Sequence, residues 1–561
     1  MARIYANPEE LWYPKDTTST EVLLYHNLNN TPGDKPSIID GYSGDTVFTY
    51  DSFRASVRKV ARHFSHELGI KQRTVVGILS NTKNYFPVCV HGVLAAGGVV
   101  SAFNPMYEPK ELAHALKLSK PSHILVEQAL VPNLLKAFAL GPNNQPRPRI
   151  HIWDIDDPSK TDHEPLNIEQ IIEHGSPNFE PAKLPPGAAA KELAFICFSS
   201  GTSGLVKGVQ LTHENIVANL FQQYQGLRGM FNPKTVVTLI VPFFHILGLS
   251  GFCCQFVSQG VPIVVFKRFE MAPLLKAIKK HRITHINVVP PIALEFLRNP
   301  EATKGDWSSV QCLMNAAAPL KENQSRELCK RYDCVVTQWY GMTEASPSVA
   351  SQREDETRIS GTIGRPLPGM EMRIVDEDGK DSKVGEFILR GPNIMKGYVG
   401  DTGLSGSPLT PDGFLRTGDI GYADSDGYLY IVDRAKEMIK VKGQQVAPAE
   451  LEAILITHPQ VKDAAVCGVY NQDGTSEVPV AYITTDVKAS RDQQVLKENL
   501  VEYVNGQVAR YKRITGGVHI LPAIPRNPSG KILRRLLPAN LAASAAKAAH
   551  ATFNTQNLAR L

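Results

Sequence analysis

The sequence offers no apolar run near the 18 or so residues that cross a bilayer, which excludes a membrane-spanning helix. The N-terminal MARIYANPEELWYP lacks the charged-then-apolar order of a signal peptide. The eight cysteines (89, 197, 253, 254, 312, 329, 334 and 467) show no C-x-x-C spacing, so neither a zinc ribbon nor a dithiol redox pair is indicated. Their surroundings, such as AFICF and GFCCQF, point to buried, reduced thiols of an intracellular protein. A net charge of +5 over 561 residues, with no basic tract, gives no footprint for nucleic acid. There is no 20–50-residue repeat and no heptad array. With 43% hydrophobic and 20% charged residues, what remains is an ordinary globular chain with room for three or four domain-sized units.

Along the first part, short β-branched runs alternate with helical patterns. TVVGILS (74–80) and ITHINVVP (283–290) read as strands, PVCVHGVLAAGGVV (87–100) as an apolar helix leading to the next strand, and MAPLLKAIKKHR as a helix. Such alternation predicts layered α/β structure with parallel sheets. From about 360, EMRIVDEDG, GEFILRG and GYLYIVD predict a small antiparallel unit. After Asp433-Arg434, a helix at PAELEAILITHP, strands at KDAAVCGVY and PVAYITTD, and a helix at VLKENLVEYVNGQV predict a compact α+β unit of about a hundred residues. The fold class is therefore α/β. The expected divisions are a large domain over 1–433 (two layered α/β subdomains plus a small β-barrel-like one), a small α+β domain over 434–541, and a flexible tail over 542–561.

Four segments carry chemistry. Residues 198–215, FSSGTSGLVKGVQLTHEN, place Ser199, Ser200, Gly201, Thr202, Ser203, Gly204, Lys207 and Gly208 within ten positions. Glycines admit an anion to backbone N–H groups and hydroxyls add donors, so this loop suits phosphate. It is neither G-x-x-x-x-G-K-[ST] nor G-x-G-x-x-G. It follows a strand-like AFICF and ends near a helix start at which Thr212 is a good N-cap. In QWYGMTEAS (338–346), Tyr340 can stack on a purine, Thr343 can donate to phosphate or cap a helix, and Glu344 offers Mg2+ a hard oxygen. From RTGDIGY to VDRAKEMIKVKGQQVAPAELE, Asp419 can accept from ribose hydroxyls, Arg434 can reach the same sugar, and Lys436, Lys440 and Lys442 crowd one turn with Gly443. The fourth, NPSGKILRR (527–535), reads by itself as a flexible basic loop around Lys531.

The order of these motifs resembles the adenylate-forming superfamily of acyl- and aryl-CoA synthetases, luciferases and peptide-synthetase adenylation domains, and within it the 4-coumarate–CoA ligase-like branch, here a fungal-type member. The likeness spans about 40–540. It implies an AMP-forming acid–thiol ligase using ATP, Mg2+ and CoA. A carboxylate attacks the α-phosphorus of ATP, pyrophosphate leaves, and the thiol of CoA then takes the acyl group and releases AMP. On this resemblance Ser199, Ser200, Gly201, Thr202, Ser203, Gly204 and Lys207 cradle the β- and γ-phosphates, with SSGTS where SSGTT is usual. Thr202 and Glu344 serve the metal. Gln338, Trp339, Tyr340 and Thr343 contact the nucleotide, with Tyr340 on adenine, and Asp419 and Arg434 bind ribose. Lys531 stabilises the charge developing at the α-phosphate. The small domain swings about Lys436, exchanging Lys531 for the turn holding Lys440, Gly443 and Gln445. Arg268, in KRFE, and Lys442 and Gly443 face CoA, and His245, in PFFHILGL, gates the acyl pocket formed with Leu247, Gly251, Ala317 and Trp339.

Three of those pocket residues depart from the hydroxycinnamate-specific pattern. Leu247 and Gly251 replace a tyrosine and a serine, and Trp339 replaces a glycine. A buried phenol left unpaired costs about 1–3 kcal/mol. The expected substrate is thus an apolar aryl or medium-chain acid. A stand-alone enzyme loading a carrier protein, luciferase-like chemistry and an inactive adenylate-binding protein stay open as alternatives. The final Ala559-Arg560-Leu561 resembles a peroxisomal address, which implies an import receptor as partner and a peroxisomal location; a tail without a message, and with it a cytoplasmic location, stays open as the alternative.

Overall fold

The computed structural model describes residues 3–141, 146–154, 163–200, 206–320, 322–356, 361–400, 407–441, 444–471, 476–527 and 530–540. Gly201, Thr202, Ser203, Gly204, Lys442, Gly443, the side chain of Ser200 and the Ala559-Arg560-Leu561 tripeptide lie outside the described residues.

The chain forms two compact units. The first comprises the described residues of Met1–Arg373, Ile388–Arg416 and Asp424–Leu429. It holds two large sheets. An eight-stranded sheet orders Gly397–Tyr398, Val206–Thr212, Leu193–Ser200, Val99–Phe103, Val75–Leu79, His123–Val126, Arg149–Ile152 and Glu164–Pro165. A nine-stranded sheet has a parallel centre in which His285–Val288, Cys312–Asn315 and Val335–Gly341 lie side by side in register. The strands over 75–79 and 285–288 and the helix Met271–His281 arise where hydrophobic periodicity places them. The apolar helix begins at Phe86 and stops at Ala95, and the next strand starts at Val99. Both sides of that strand are buried, which is why it reads as a continuous apolar run.

A five-stranded, curled half-barrel sheet orders Tyr5–Ala6, Glu371–Val375, Val384–Arg390, Leu415–Ala423 and Leu429–Arg434. The second unit comprises the described residues of Ile374–Phe387, Thr417–Ala423 and Tyr430–Leu561. Its C-terminal part packs Pro448–Leu455 and Ser490–Asn505 on a three-stranded sheet of Asp463–Tyr470, Glu477–Thr484 and Val518–Ile520. Leu451, Leu455, Val466, Ile483, Leu496 and Leu500 form its core. All eight cysteines are unpaired thiols; seven are buried and Cys329 is partly so. No described helix is long and apolar enough to cross a membrane.

Candidate active site

In the first unit the described residues on either side of the predicted phosphate loop are two paired strands. The sequence places a helix start soon after the loop; the structure inserts a strand first. Leu193–Ser200 pairs antiparallel with Val206–Thr212, which sets Ser199 opposite Lys207, and the helix His213–Gly226 follows. Thr212 caps that helix, its hydroxyl accepting from Asn215 N while the Asn215 side chain returns to Thr212 N. Capping and a helix buried at all but Glu214 and Tyr224 fix the direction of the strand Val206–Thr212, and with it the end that sets Lys207 opposite Ser199.

Glu344 is brought to the same place. Only 6% of it is exposed. Its Oε1 accepts from the hydroxyls of Ser199 and Tyr398, each at 2.9 Å. The Lys207 ammonium stands 4.4 Å from the centre of the Tyr398 ring. Three motif residues distant in sequence thus meet, together with Tyr398, which sequence reasoning missed. The signal for it lies in MKGYVG: its strand, Gly397–Tyr398, pairs with Val209 and Gln210 beside Lys207. The approach of Glu344 depends on Gly341, where a Cβ would lie 2.3 Å from Pro347 O. Thr343 opens a short 3-10 turn, Thr343–Ala345, and does not cap it; Met342 stands at the N-cap position without a side-chain bond.

The preceding residues of this segment, Gln338, Trp339 and Tyr340, are largely buried. Gln338 accepts from Leu320 N at 2.8 Å through its Oε1, so its amide ties two segments of the first unit together. Tyr340 is 7% exposed and pairs in register with Ala350. Trp339 donates to Thr337 Oγ1 at 3.1 Å and packs edge-on against Phe231, which packs in turn on Phe256.

Phe256 ends a π-helix over Leu247–Phe256, an uncommon geometry often found at functional sites. Leu247 covers Gly251: a Cβ there would sit 3.2 Å from Leu247 Cδ1. His245 accepts from Leu247 N, and burial pushes its imidazole down to about 4. Ala317 adopts a left-handed φ of 70°, a conformation that costs an alanine about 1 kcal/mol. Arg268 is exposed and paired with Glu270 at 2.7 Å.

The second unit assembles a different set. Asp419, 4% exposed, pairs with Arg434 Nε at 3.0 Å and takes its backbone N–H to Thr417 Oγ1. Gly418 has φ 73°, and its N–H donates to Glu386. Lys531 feels this pair directly. Burial first, then the Arg434 charge, lower its ammonium to about 8, while Glu437 and Asp419 pull the other way. Lys440 and Gln445 are cross-strand partners in the ribbon Ile439–Val441 and Gln444–Val446, and both are exposed. Lys436 is exposed on the turn that follows Arg434.

The described residues around Lys531 carry more tertiary contacts than the basic composition of the segment suggests. Arg526 forks onto Asp463 at 2.7 and 3.1 Å and donates to Gly530 O at 2.6 Å. Lys531 N donates to Asn527 Oδ1. Arg534 bonds Glu437 and Glu452 at 2.6 and 2.7 Å and Val466 O at 3.0 Å. Both arginines look like surface charge in the sequence because their carboxylate partners lie more than sixty positions away.

Among the described residues no cluster of three or more His, Cys, Asp or Glu is arranged for a metal. One buried carboxylate beside two hydroxyls fits instead a magnesium ion that draws its other ligands from phosphate and water.

The family model described as AMP-binding enzyme matches residues 24–399, and that described as AMP-binding enzyme C-terminal domain matches 450–531. The chain is 36% identical to 4-coumarate–CoA ligase 1 of Petroselinum crispum, over 95% of this chain and 96% of that one. It is 34% identical to probable 4-coumarate–CoA ligase 1 of Dictyostelium discoideum, over 92% and 94%. Its fold is similar to that of ATP-bound MatB from Rhodopseudomonas palustris, with a TM-score of 0.79 and 25% identity over 93% of this chain and 98% of that one. The chain therefore belongs to the AMP-binding, adenylate-forming enzyme family, in the branch of the 4-coumarate–CoA ligases, and is an AMP-forming acid–thiol ligase.

Proposed function

We propose that the chain activates an apolar aryl or medium-chain carboxylic acid as its acyl-adenylate and transfers the acyl group to free CoA. The observation that carries the two-step reading is the environment of Lys531. A half-buried ammonium beside a ribose-type Asp419–Arg434 pair is suited to steadying negative charge on a phosphate next to a nucleoside. Ser199, Lys207 and Glu344 act on the other end of ATP. Lys207 neutralises the departing pyrophosphate. Glu344 holds Mg2+, which supplies charge neutralisation on the phosphates when bound. Lys440 and Gln445, exposed and side by side, serve the second half-reaction after rotation about Lys436, and Arg268, Lys442 and Gly443 meet CoA.

The acyl preference rests on Leu247, Gly251 and Trp339. Leu247 lies over Gly251 and neither offers a hydrogen bond, so a phenolic hydroxyl placed there loses its water without a replacement. Indole fills space that glycine leaves open. His245 is neutral at pH 7, so it can move as a gate without carrying charge through an apolar wall. The named relatives are 4-coumarate ligases, and hydroxycinnamate use is the second reading.

Pyrophosphate release over a panel of carboxylic acids, with CoA as the sole thiol, tests both levels. Plain aryl or medium-chain acids should lead the panel, and AMP should appear in step with acyl-CoA. A clear preference for hydroxycinnamates would overturn the substrate assignment alone. Adenylation without thioester formation on free CoA would favour a carrier-protein acceptor.

A further inference from the structure

We infer that Tyr398 is a two-sided positioning residue for adenylation: its hydroxyl sets the Glu344 carboxylate and its ring face holds the Lys207 ammonium. The inference rests on the proposed roles of Glu344 with magnesium and Lys207 with pyrophosphate. Three observations support it. Tyr398 and Ser199 both donate to one oxygen, Glu344 Oε1, which fixes the rotation of a carboxylate that a single donor would leave free to turn. Lys207 stands over the same ring at 4.4 Å. The short strand Gly397–Tyr398 pairs with Val209 and Gln210, two and three residues beyond Lys207, so Tyr398 is tied by backbone register to the hairpin it serves.

The arrangement answers a physical problem. A lysine and a glutamate a few ångströms apart tend to pair with each other, which would cancel the charges ATP and its metal need. A phenol between them gives each a separate partner. The carboxylate takes a hydrogen bond from the phenolic hydroxyl, and the ammonium takes the electron-rich face of the ring. Lys207 is thus held near its post by an interaction weaker than the one phosphate offers, and can exchange one for the other.

Two substitutions separate the roles. Tyr398→Phe keeps the ring and removes the hydroxyl; Tyr398→Leu removes both. In Tyr398→Phe, the Mg2+ concentration giving half-maximal pyrophosphate release should rise several-fold, and the rate at low Mg2+ should fall about tenfold. Saturating Mg2+ should restore most of that rate. Tyr398→Leu should add a rise in KM for ATP that Mg2+ does not rescue. In both variants, thioester formation from pre-made acyl-adenylate should stay within about twofold of wild type. An unchanged Mg2+ midpoint in Tyr398→Phe, or equal loss of both half-reactions, overturns the inference. If the wild type itself releases no pyrophosphate with any acid, the adenylation reading fails first, and the variants are not needed to see it.

Discussion

Lys531 gives the most exposed test of the mechanism, because burial and chemistry pull its proton in opposite directions. Burial and the neighbouring Arg434 bring its ammonium from 10.5 to about 8. Only the charged form can steady the α-phosphate. Adenylation measured as pyrophosphate release without CoA should therefore lose activity on the alkaline side. A group titrating near 8 is about nine-tenths protonated at pH 7 and about one-tenth at pH 9, so kcat/KM for ATP should fall about tenfold between them. Bound ATP adds negative charge and pushes the proton back, so kcat should bend at a higher pH than kcat/KM. Omitting CoA removes its thiol, whose ionisation would confuse the same range. Lys531→Arg keeps its charge throughout, and whatever activity it retains should show no alkaline fall. Lys531→Ala should abolish adenylation yet spare thioester formation from pre-made acyl-adenylate. The same shift has a cost in stability. The folded-state value lies below the unfolded one, so the protonated lysine destabilises the fold fully below pH 8, and the penalty fades as pH rises towards 10.5. Its full size is about 3 kcal/mol, reduced by the side chain's partial exposure. Lys531→Met should thus resist denaturant better than wild type at pH 7, with the margin shrinking by pH 10. An alkaline limb that survives in Lys531→Arg, or a margin that grows with pH, would refute the reasoning.

Breaking the buried arginine should be worse than replacing its whole network. Arg534→Met leaves Glu452 uncompensated and should cost about 3–5 kcal/mol by chemical denaturation, much of it recovered when Glu452 is also made Met. Lys207→Ala should lower pyrophosphate release at least tenfold, as loss of a charge-assisted contact implies, and leave thioester formation from acyl-adenylate nearly intact; rapid-quench assays of the separated half-reactions decide it. Trp339→Gly should shift the acid panel towards bulkier or longer acids, at about 3 kcal/mol of stability lost with the Phe231 contact.

What the sequence could and could not tell follows from the range of each interaction. Strands at 75–79 and 285–288 and the helix over 271–281 are legible because burial repeats at the period of the local backbone. Glu344, Lys207, Asp419 and Lys531 are legible by type, since phosphate and ribose demand few side chains. Their partners are not. Tyr398 meets Glu344 across 54 positions and Arg534 meets Glu437 across 97, and nothing in either neighbourhood advertises the other end. The strand Val206–Thr212 is less legible for another reason: VKGVQLT has a strand's alternation, but the glycines before it read as a loop that ends near the start of the helix that Thr212 caps. Partners found only in the fold are also the ones that hold charge in place. Arg526 and Arg534 tie the described residues beside Lys531 to Asp463, Glu437 and Glu452, and Tyr398 contacts both Glu344 and Lys207. Motifs therefore name the groups proposed to meet ATP, whereas long-range pairs set the environment in which those groups are held. A variant that keeps Ser199, Lys207, Glu344, Asp419 and Lys531 but loses Arg534 or Tyr398 should look intact at those positions and fail in the assay, with adenylation as the step that suffers.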